Sequence, residues 1–429
     1  MTGSPSRSAH RALVAAVVAC TGIGPGVASA QDRSAGAFLQ LFEASYATIE
    51  KRTPDIFNAG YANLWLPPPG RADQGDLSVG YDPYDRFDLG SPGRYTLYGS
   101  ETGIKTSISA LRRASVGTYV DLVWNHAGYS NLGTPGFTAA GGYPGLLVTT
   151  PGDIDGDFHG AFESGDWNMR VAGLLDIAQE KNHRFIRNPV TPGDVRNIPA
   201  GTTPAFGRLA NVPTEGNRRF YPDRDVAPAR MVFDPLTGQG NIPIYDFTPD
   251  AATTGDPIEE NALGYLMRNT QWLVQDVGVD GFRIDAQKHM PQWVMGYFDR
   301  AVYRANPRPR LDGSVKHVFS FGETYDGNRA LVQSYIRKDI NDADPGRVGG
   351  NRDQLDFPLF FAMRDNLSSN GLVNDWRNVV NASQDVQDDG LANNGSQGVA
   401  FAQSHDDFGP HLSNVAHAYM LMRPGHAVV

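Results

Sequence analysis

The chain has 429 residues, 40% of them hydrophobic and 20% charged, with a formal net charge of −10. A chain of that balance buries a core, which argues against global disorder. The negative charge, with no basic stripe, argues against a nucleic-acid partner and leaves a neutral substrate open.

At the N-terminus "RSAHR" (7–11) is a positive region, "ALVAAVVACTGIG" (12–24) an apolar run too short to span a bilayer, and "ASA" (28–30) a small-residue cleavage site. Residues 1–30 are therefore expected to be a signal peptide, and the protein to be secreted or periplasmic, with no transmembrane segment in the mature chain. The single cysteine, Cys20, lies in this segment, so the mature chain is expected to fold without disulfides. "VVAC" offers the alternative of a lipid anchor through Cys20.

Further along, apolar runs and helical periodicity alternate. "AFLQLF" (37–42) reads as a strand, "SYATIEKRTPDIFNAG" (45–60) as a helix, and "YANLWLPPP" (61–69) as a strand cut short by proline. "ETGIKTSISALRRAS" (101–115) is an amphipathic helix and "GTYVDLVWNH" (117–126) a strand. From 128 to 250 the alternation gives way to Gly, Pro, Asn and Asp, with one expected helix at "VAGLLDIAQEKN" (171–182). An irregular stretch that long reads as an insertion domain. The alternation resumes with the helix "NALGYLMRNTQWLVQDVG" (261–278) and the strand opening "GVDGFRIDAQKHM" (278–290). Further strands are expected at "KHVFSFGE" (316–323), "QLDFPLFF" (354–361), "GVAFAQSH" (398–405) and "GHAVV" (425–429).

Eight strands with intervening helices predict an α/β fold, a (β/α)8 TIM barrel, with a long insertion domain after strand three. The barrel is expected over 31–127 and 251–429 and the insertion over 128–250, with the chain stopping within strand eight.

The ends of these strands are charged. Strand three ends in Asp121, Asn125 and His126, strand four in Arg283, Asp285, Lys288 and His289, strand five in Glu323, and strand seven in His405 and Asp406. Each has an ordinary explanation: Arg283 and Asp285 share a strand face and would pair, and Glu323 or Asp406 would sit in a loop or at a helix start. Together they would bury several charges at one mouth, a cost that structure alone does not explain.

These segments resemble the signature regions of the α-amylase family of glycoside hydrolases, family 13. "DLVWNH" (121–126), "GFRIDAQKH" (281–289), "FGE" (321–323) and "SHD" (404–406) are similar to its four regions, in order, and "GYDPYDRFDLG" (80–90) to its strand-two segment. The resemblance implies Asp285 as nucleophile, Glu323 as general acid/base and Asp406 as a third carboxylate that holds sugar hydroxyls. It implies His126 and His405 as hydrogen-bonding partners of the sugar, Tyr81 as its stacking platform, and Lys288 and His289 on the leaving-group side. Arg283 is expected to keep Asp285 ionised, and Glu323, near other acids, to keep its proton for donation.

The resemblance also implies a structural Ca²⁺ held by Asn125, the backbone carbonyl of His289 and an acid of the insertion, for which Asp246 in "IPIYDF" stands in the corresponding place. "DIDGD" (153–157) resembles the start of a second calcium loop but lacks its distal glutamate. Two departures concern specificity: Ser404 stands where the family often has asparagine, and the insertion around "GDWNM" (165–169) follows no subfamily pattern. The implied function is retaining hydrolysis of internal α-1,4-glucosidic bonds of an α-glucan, by a monomer. Transglycosylation on the same site and a non-catalytic glucan-binding protein are the alternatives.

Overall fold

The computed structural model describes residues 36–128, 262–290, 294–304, 317–338, 350–387, 397–423 and 425–429, with short pieces between 143 and 179, at 230–233 and at 241–244. Eight strands form one closed parallel sheet: β1 (Phe38–Gln40), β2 (Asn63–Leu66), β3 (Gly117–Leu122), β4 (Gly281–Ile284), β5 (Phe319–Gly322), β6 (Asn351–Leu355), β7 (Gly398–Phe401) and β8 (Ala427–Val428). Each pairs with its successor, and β8 pairs with β1 through Phe38 and Val428. The (β/α)8 barrel expected from the sequence is present. No helix among the described residues is long and apolar enough to cross a membrane.

The strands are short because their side chains meet inside. Phe38, Trp65, Tyr119, Phe319, Phe321, Leu355, Val399, Phe401 and Val428 form one buried cluster. The Phe38 ring meets Tyr119 edge-on at 4.7 Å and Phe321 at 5.4 Å. Such packing leaves no pore, so polar side chains collect at the strand ends. Room is tight enough to dictate a glycine: a Cβ on Gly281 would lie 2.0 Å from the Phe319 carbonyl and 2.4 Å from the Tyr119 ring. The "DGFRID" strand therefore begins with the one residue that lets it close against both neighbours.

Helices cover the outside. α1 (Tyr46–Asn58) starts where the Ser45 hydroxyl accepts from Thr48 N at 3.2 Å, and buries Tyr46, Ile49 and Ile56. α2 (Glu101–Arg113) is capped by Ser100, with Glu101 in its first turn and Arg112 and Arg113 in its last, each suited to the helix dipole. α3 (Ala262–Trp272) is buried along most of its length and closes through a π turn, Leu273–Val277, onto Gly278 at φ 93°. α4 (Val294–Arg304), α5 (Arg329–Ser334), α6 (Phe357–Asn366), α7 (Trp376–Ala382) and α8 (Ser413–Leu421) follow.

Two expected elements differ. The sixth strand, expected at 354–361, runs Asn351–Leu355, and the apolar "FPLFF" belongs to α6. Asp356 caps that helix by accepting from Leu359 N at 3.2 Å, with Pro358 in its first turn. A short apolar run does not separate strand from helix by periodicity, whereas an acid followed by an early proline marks a helix start. The helix expected at 171–182 is instead a strand, Leu175–Ile177. It pairs antiparallel with Phe158–Ala161 and with His126–Ala127 at the end of the barrel's third strand segment. Pairing with this extended backbone overrides the local helical pattern.

Candidate active site

Arg283 organises the mouth. Its side chain, 1% exposed, rises from β4 on the face shared with Gly281 and Asp285, above the Trp65 ring at 5.5 Å. Nη1 lies 2.6 Å from Asp285 Oδ1 and 3.3 Å from Asp121 Oδ1, and Nη2 lies 2.9 Å from Glu323 Oε2. One guanidinium thus serves three carboxylates from three adjacent strands. Registers explain why: Arg283 stands opposite Asp121 on β3 and Phe321 on β5, two residues before Glu323.

The loop after β4 is shaped for this approach. Ala286 takes φ 48°, a left-handed conformation that costs a residue with a side chain. There its N–H donates to Glu323 Oε2 at 3.0 Å. Main-chain bonds from Glu323 N to Ile284 O at 2.9 Å and from Gln287 N to Glu323 O at 3.0 Å fasten the two loops together. Asp285 and Glu323 are held side by side by backbone as well as by Arg283.

The charge state departs from the simple expectation that Arg283 keeps Asp285 ionised. Burial pushes Asp285 up to about 8, against the opposing pull of Arg283 and with Glu323 and Asp121 adding repulsion. Asp121 is also raised by burial, although Arg283, His405, Tyr81 and Trp65 all favour its charged form. Two of the three acids around this cation, Asp285 and Asp121, are thus pushed towards their protonated forms.

Tyr81 and His405 form the adjoining wall. The Tyr81 hydroxyl donates to Asp121 and lies 3.1 Å from His405 Nε2, and the two rings are parallel within 5° at 5.5 Å. Asp406, its side chain 55% exposed, lies 3.1 Å from His405 Nε2. The hydrogen bond to His405 is the main cause that holds it below the usual carboxylate range, and Arg283 adds to it. Asp406 is therefore linked to the three-acid cluster through His405, Tyr81 and Asp121. Ser404 earns its place locally: its hydroxyl accepts from Asp406 N and Asp407 N, both at 3.2 Å, which orients the carboxylate.

His126 is buried under this wall. Its Nε2 lies 2.9 Å from the Tyr81 carbonyl, and burial pushes its basicity down to about 3, so the ring stays neutral. Lys288 donates to the Tyr325 carbonyl at 2.8 Å and faces the Tyr325 ring at 5.6 Å, on the Glu323 side of the mouth. His289 ends the short helical turn after Ala286. Asn125 Nδ2 donates to Asp176 Oδ1 at 2.8 Å, both side chains buried. Asp246 and the "DIDGD" segment lie outside the described residues, and among those described no three His, Cys, Asp or Glu gather as a metal cluster.

Three contributors escaped the sequence reading. Asp121 was visible at the start of "DLVWNH" yet received no role. Trp65 donates to Asp121 Oδ1 at 2.9 Å, a bond with no local signature. Asp176 lay inside the segment expected to be helical.

No family model matches the chain. Among curated proteins it is 27% identical over 309 residues to the cytoplasmic alpha-amylase of Escherichia coli (strain K12), covering 70% of this chain and 55% of that protein. It is 23% identical to the glucan 1,4-alpha-maltohexaosidase of Bacillus sp. (strain 707), covering 86% and 63% of the two chains. The chain is thus similar to α-amylases and to a maltohexaosidase along most of its length. It spans less than two thirds of the length of both relatives. Among solved structures, the α-amylase of Geobacillus thermoleovorans complexed with acarbose superposes with a TM-score of 0.52 at 16% identity, over 93% of this chain and 70% of that one. The gamma-CGTase of Bacillus clarkii gives 0.53 at 14% identity, over 92% and 50%. At such identity the superpositions establish the shared barrel, and the α-amylase likeness of the site rests on its own residues.

Proposed function

We propose that this chain is an exported glycosidase that cleaves internal α-1,4 bonds of starch-like glucans with retention. The observation that carries the reading is the joint hold on Asp285 and Glu323, bound to the two terminal nitrogens of one guanidinium. Glu323 also touches the backbone N–H next to Asp285. This close placement supports the roughly 5–5.5 Å carboxyl separation of a retaining pair, and leaves little room for the intervening water of an inverting one.

In this mechanism Asp285 attacks the anomeric carbon while Glu323 gives its proton to the departing glycosidic oxygen. A covalent glycosyl–Asp285 ester forms. Glu323, now a base, takes a proton from water, which attacks the ester and releases the sugar with its configuration kept. Arg283 disperses charge in the cluster, and Asp406 and His405 hold sugar hydroxyls. Transglycosylation replaces water by a sugar hydroxyl at the last step. Chromatography of products from soluble starch over time tests the reading: shortened linear α-anomeric products are expected, cyclic products would favour transglycosylation, and untouched starch would overturn both.

The protonation of Asp285 gives a pH dependence. Burial raises its carboxyl to about 8, and a carboxyl group attacks only when ionised. kcat/KM on starch should therefore rise as pH climbs through about 8, where Asp285 sheds its proton. A profile flat from about pH 6 to about pH 9 would contradict this assignment of the nucleophile's charge state.

Calcium is part of the proposal. Buried Asn125 and Asp176 are joined by the Asn125 Nδ2–H bond to Asp176 Oδ1 at 2.8 Å, and each has a further side-chain oxygen of the hard kind Ca²⁺ selects. They make a partial shell, which the His289 carbonyl and the insertion would complete, and the ion would brace the barrel against the insertion. Excess chelator is expected to lower Tm and activity together, since a ligand bound only to the folded form stabilises it. Asp176→Ala should remove that sensitivity. An unchanged Tm in protein shown to be metal-free would exclude the site.

A further inference from the structure

The end of β1 carries a polar residue that none of the roles above uses. Phe38 fills the barrel interior, and Gln40, two positions on, shares its face one layer nearer the mouth. Gln40 Nε2 lies 2.7 Å from His405 Nδ1, 365 residues away in sequence. The other ring nitrogen, Nε2, lies 3.1 Å from the Tyr81 hydroxyl and 3.1 Å from Asp406 Oδ2. Phe42 at 4.6 Å and Trp65 at 6.0 Å enclose the ring.

A neutral imidazole has one N–H and one lone pair to place. Asp406 offers only acceptor oxygens, so Nε2 must carry a proton. Tyr81 requires the same, because its own proton goes to Asp121 and its oxygen is left to accept. Nδ1 then holds the lone pair, and the Gln40 amide donates to it. Both sides of the ring demand the same tautomer.

We propose that Gln40 is a positioning residue that locks His405 as the neutral Nε2–H imidazole and so aims its single proton at Tyr81 and Asp406. The charged groups facing the ring are Asp406 on its own loop and Asp121 from β3, with Arg283 from β4 behind Asp121. With its amide nitrogen on Nδ1 at 2.7 Å, Gln40 opposes a second proton on the ring, which would face the amide N–H. Asp406 therefore accepts from a neutral donor and keeps its full negative charge for the sugar. This consequence rests on the glycosidase reading above; the protonation state does not.

The test uses protein labelled with ¹⁵N-histidine and long-range ¹H–¹⁵N correlation at pH 7, the His405 signals assigned by their loss in His405→Gln. Wild-type His405 should show one protonated nitrogen, Nε2. Gln40→Glu, which supplies an acceptor of the same shape, should put protons on both nitrogens. Gln40→Met should give a mixture of the two tautomers. On starch, Gln40→Met should lose roughly five- to tenfold in kcat, the worth of one hydrogen bond, with KM changing less. Gln40→Glu should recover part of its loss as pH rises and its ring sheds the extra proton. A wild-type ring protonated on Nδ1 overturns the proposal without any variant having to fold, and so does a ring whose protonation both substitutions leave unchanged. Should the ring behave as stated in a protein inactive on every glucan, the glycosidase reading fails and the assignment to Gln40 stands.

Discussion

Asp285→Asn is expected to remove activity on every glucan, by about 10⁴-fold or more, and at the same time to raise Tm at neutral pH. The first effect follows from its proposed role as nucleophile: an amide does not form the glycosyl ester, so neither half of the reaction proceeds. The second follows from its burial. Asp285 is 7% exposed and its folded-state value is about 8, against about 3.9 in an unfolded chain. The folded protein thus binds this proton more tightly than the unfolded one. Stability is lost as pH rises from about 4 through about 8, because the unfolded chain releases the proton freely and the folded chain does so at a cost. Asparagine, neutral throughout, avoids that loss, and Arg283 keeps Asp121 and Glu323 as partners. Calorimetry of wild type and variant between pH 4 and pH 9 should show Tm curves that converge at the acid end and separate towards the alkaline end. An inactive variant that is less stable at every pH would mean that Asp285 acts mainly as a structural partner of Arg283.

Glu323→Gln is expected to lose about 10²–10⁴-fold on starch, the usual worth of a general acid/base, and much less on an α-glucosyl fluoride. Fluoride departs with little protonation, so the first step survives on the activated substrate. The second step then lacks its base, and added azide, which needs no deprotonation, should restore turnover and give a retained glucosyl azide. Asp285→Asn should show no comparable rescue. Equal losses on both substrates with no effect of azide would remove Glu323 from the acid/base role.

The barrel could be read from the sequence because its signals were local: helical periodicity alternating with short apolar runs, several of which end in charge. The sixth strand was misplaced because "QLDFPLFF" joins the end of a strand to the start of a helix, with Asp356 as the hinge between them. Arg283, Asp285 and Glu323 were recognisable from their motifs, and the structure brings them into contact. Their charge state was not legible, since it depends on how far burial outweighs one shared arginine. Asp176 and Gln40 were invisible for a related reason. Each owes its importance to a partner far along the chain, Asn125 or His405, and neither sits in a distinctive local pattern.

The closure of the barrel between β1 and β8 has a consequence for how the chain is made. Phe38 pairs with Val428, Gln40 N bonds Val429 O at 2.9 Å, and Val429 N bonds Phe38 O at 2.9 Å. During synthesis β1 emerges early, and one of its edges waits for a partner until β8 follows. Contacts this distant in sequence are slow to form, and an open strand edge is a place where chains join wrongly. The barrel therefore cannot seal until β8 is made, and until then one edge of β1 lacks the partner that the folded protein gives it.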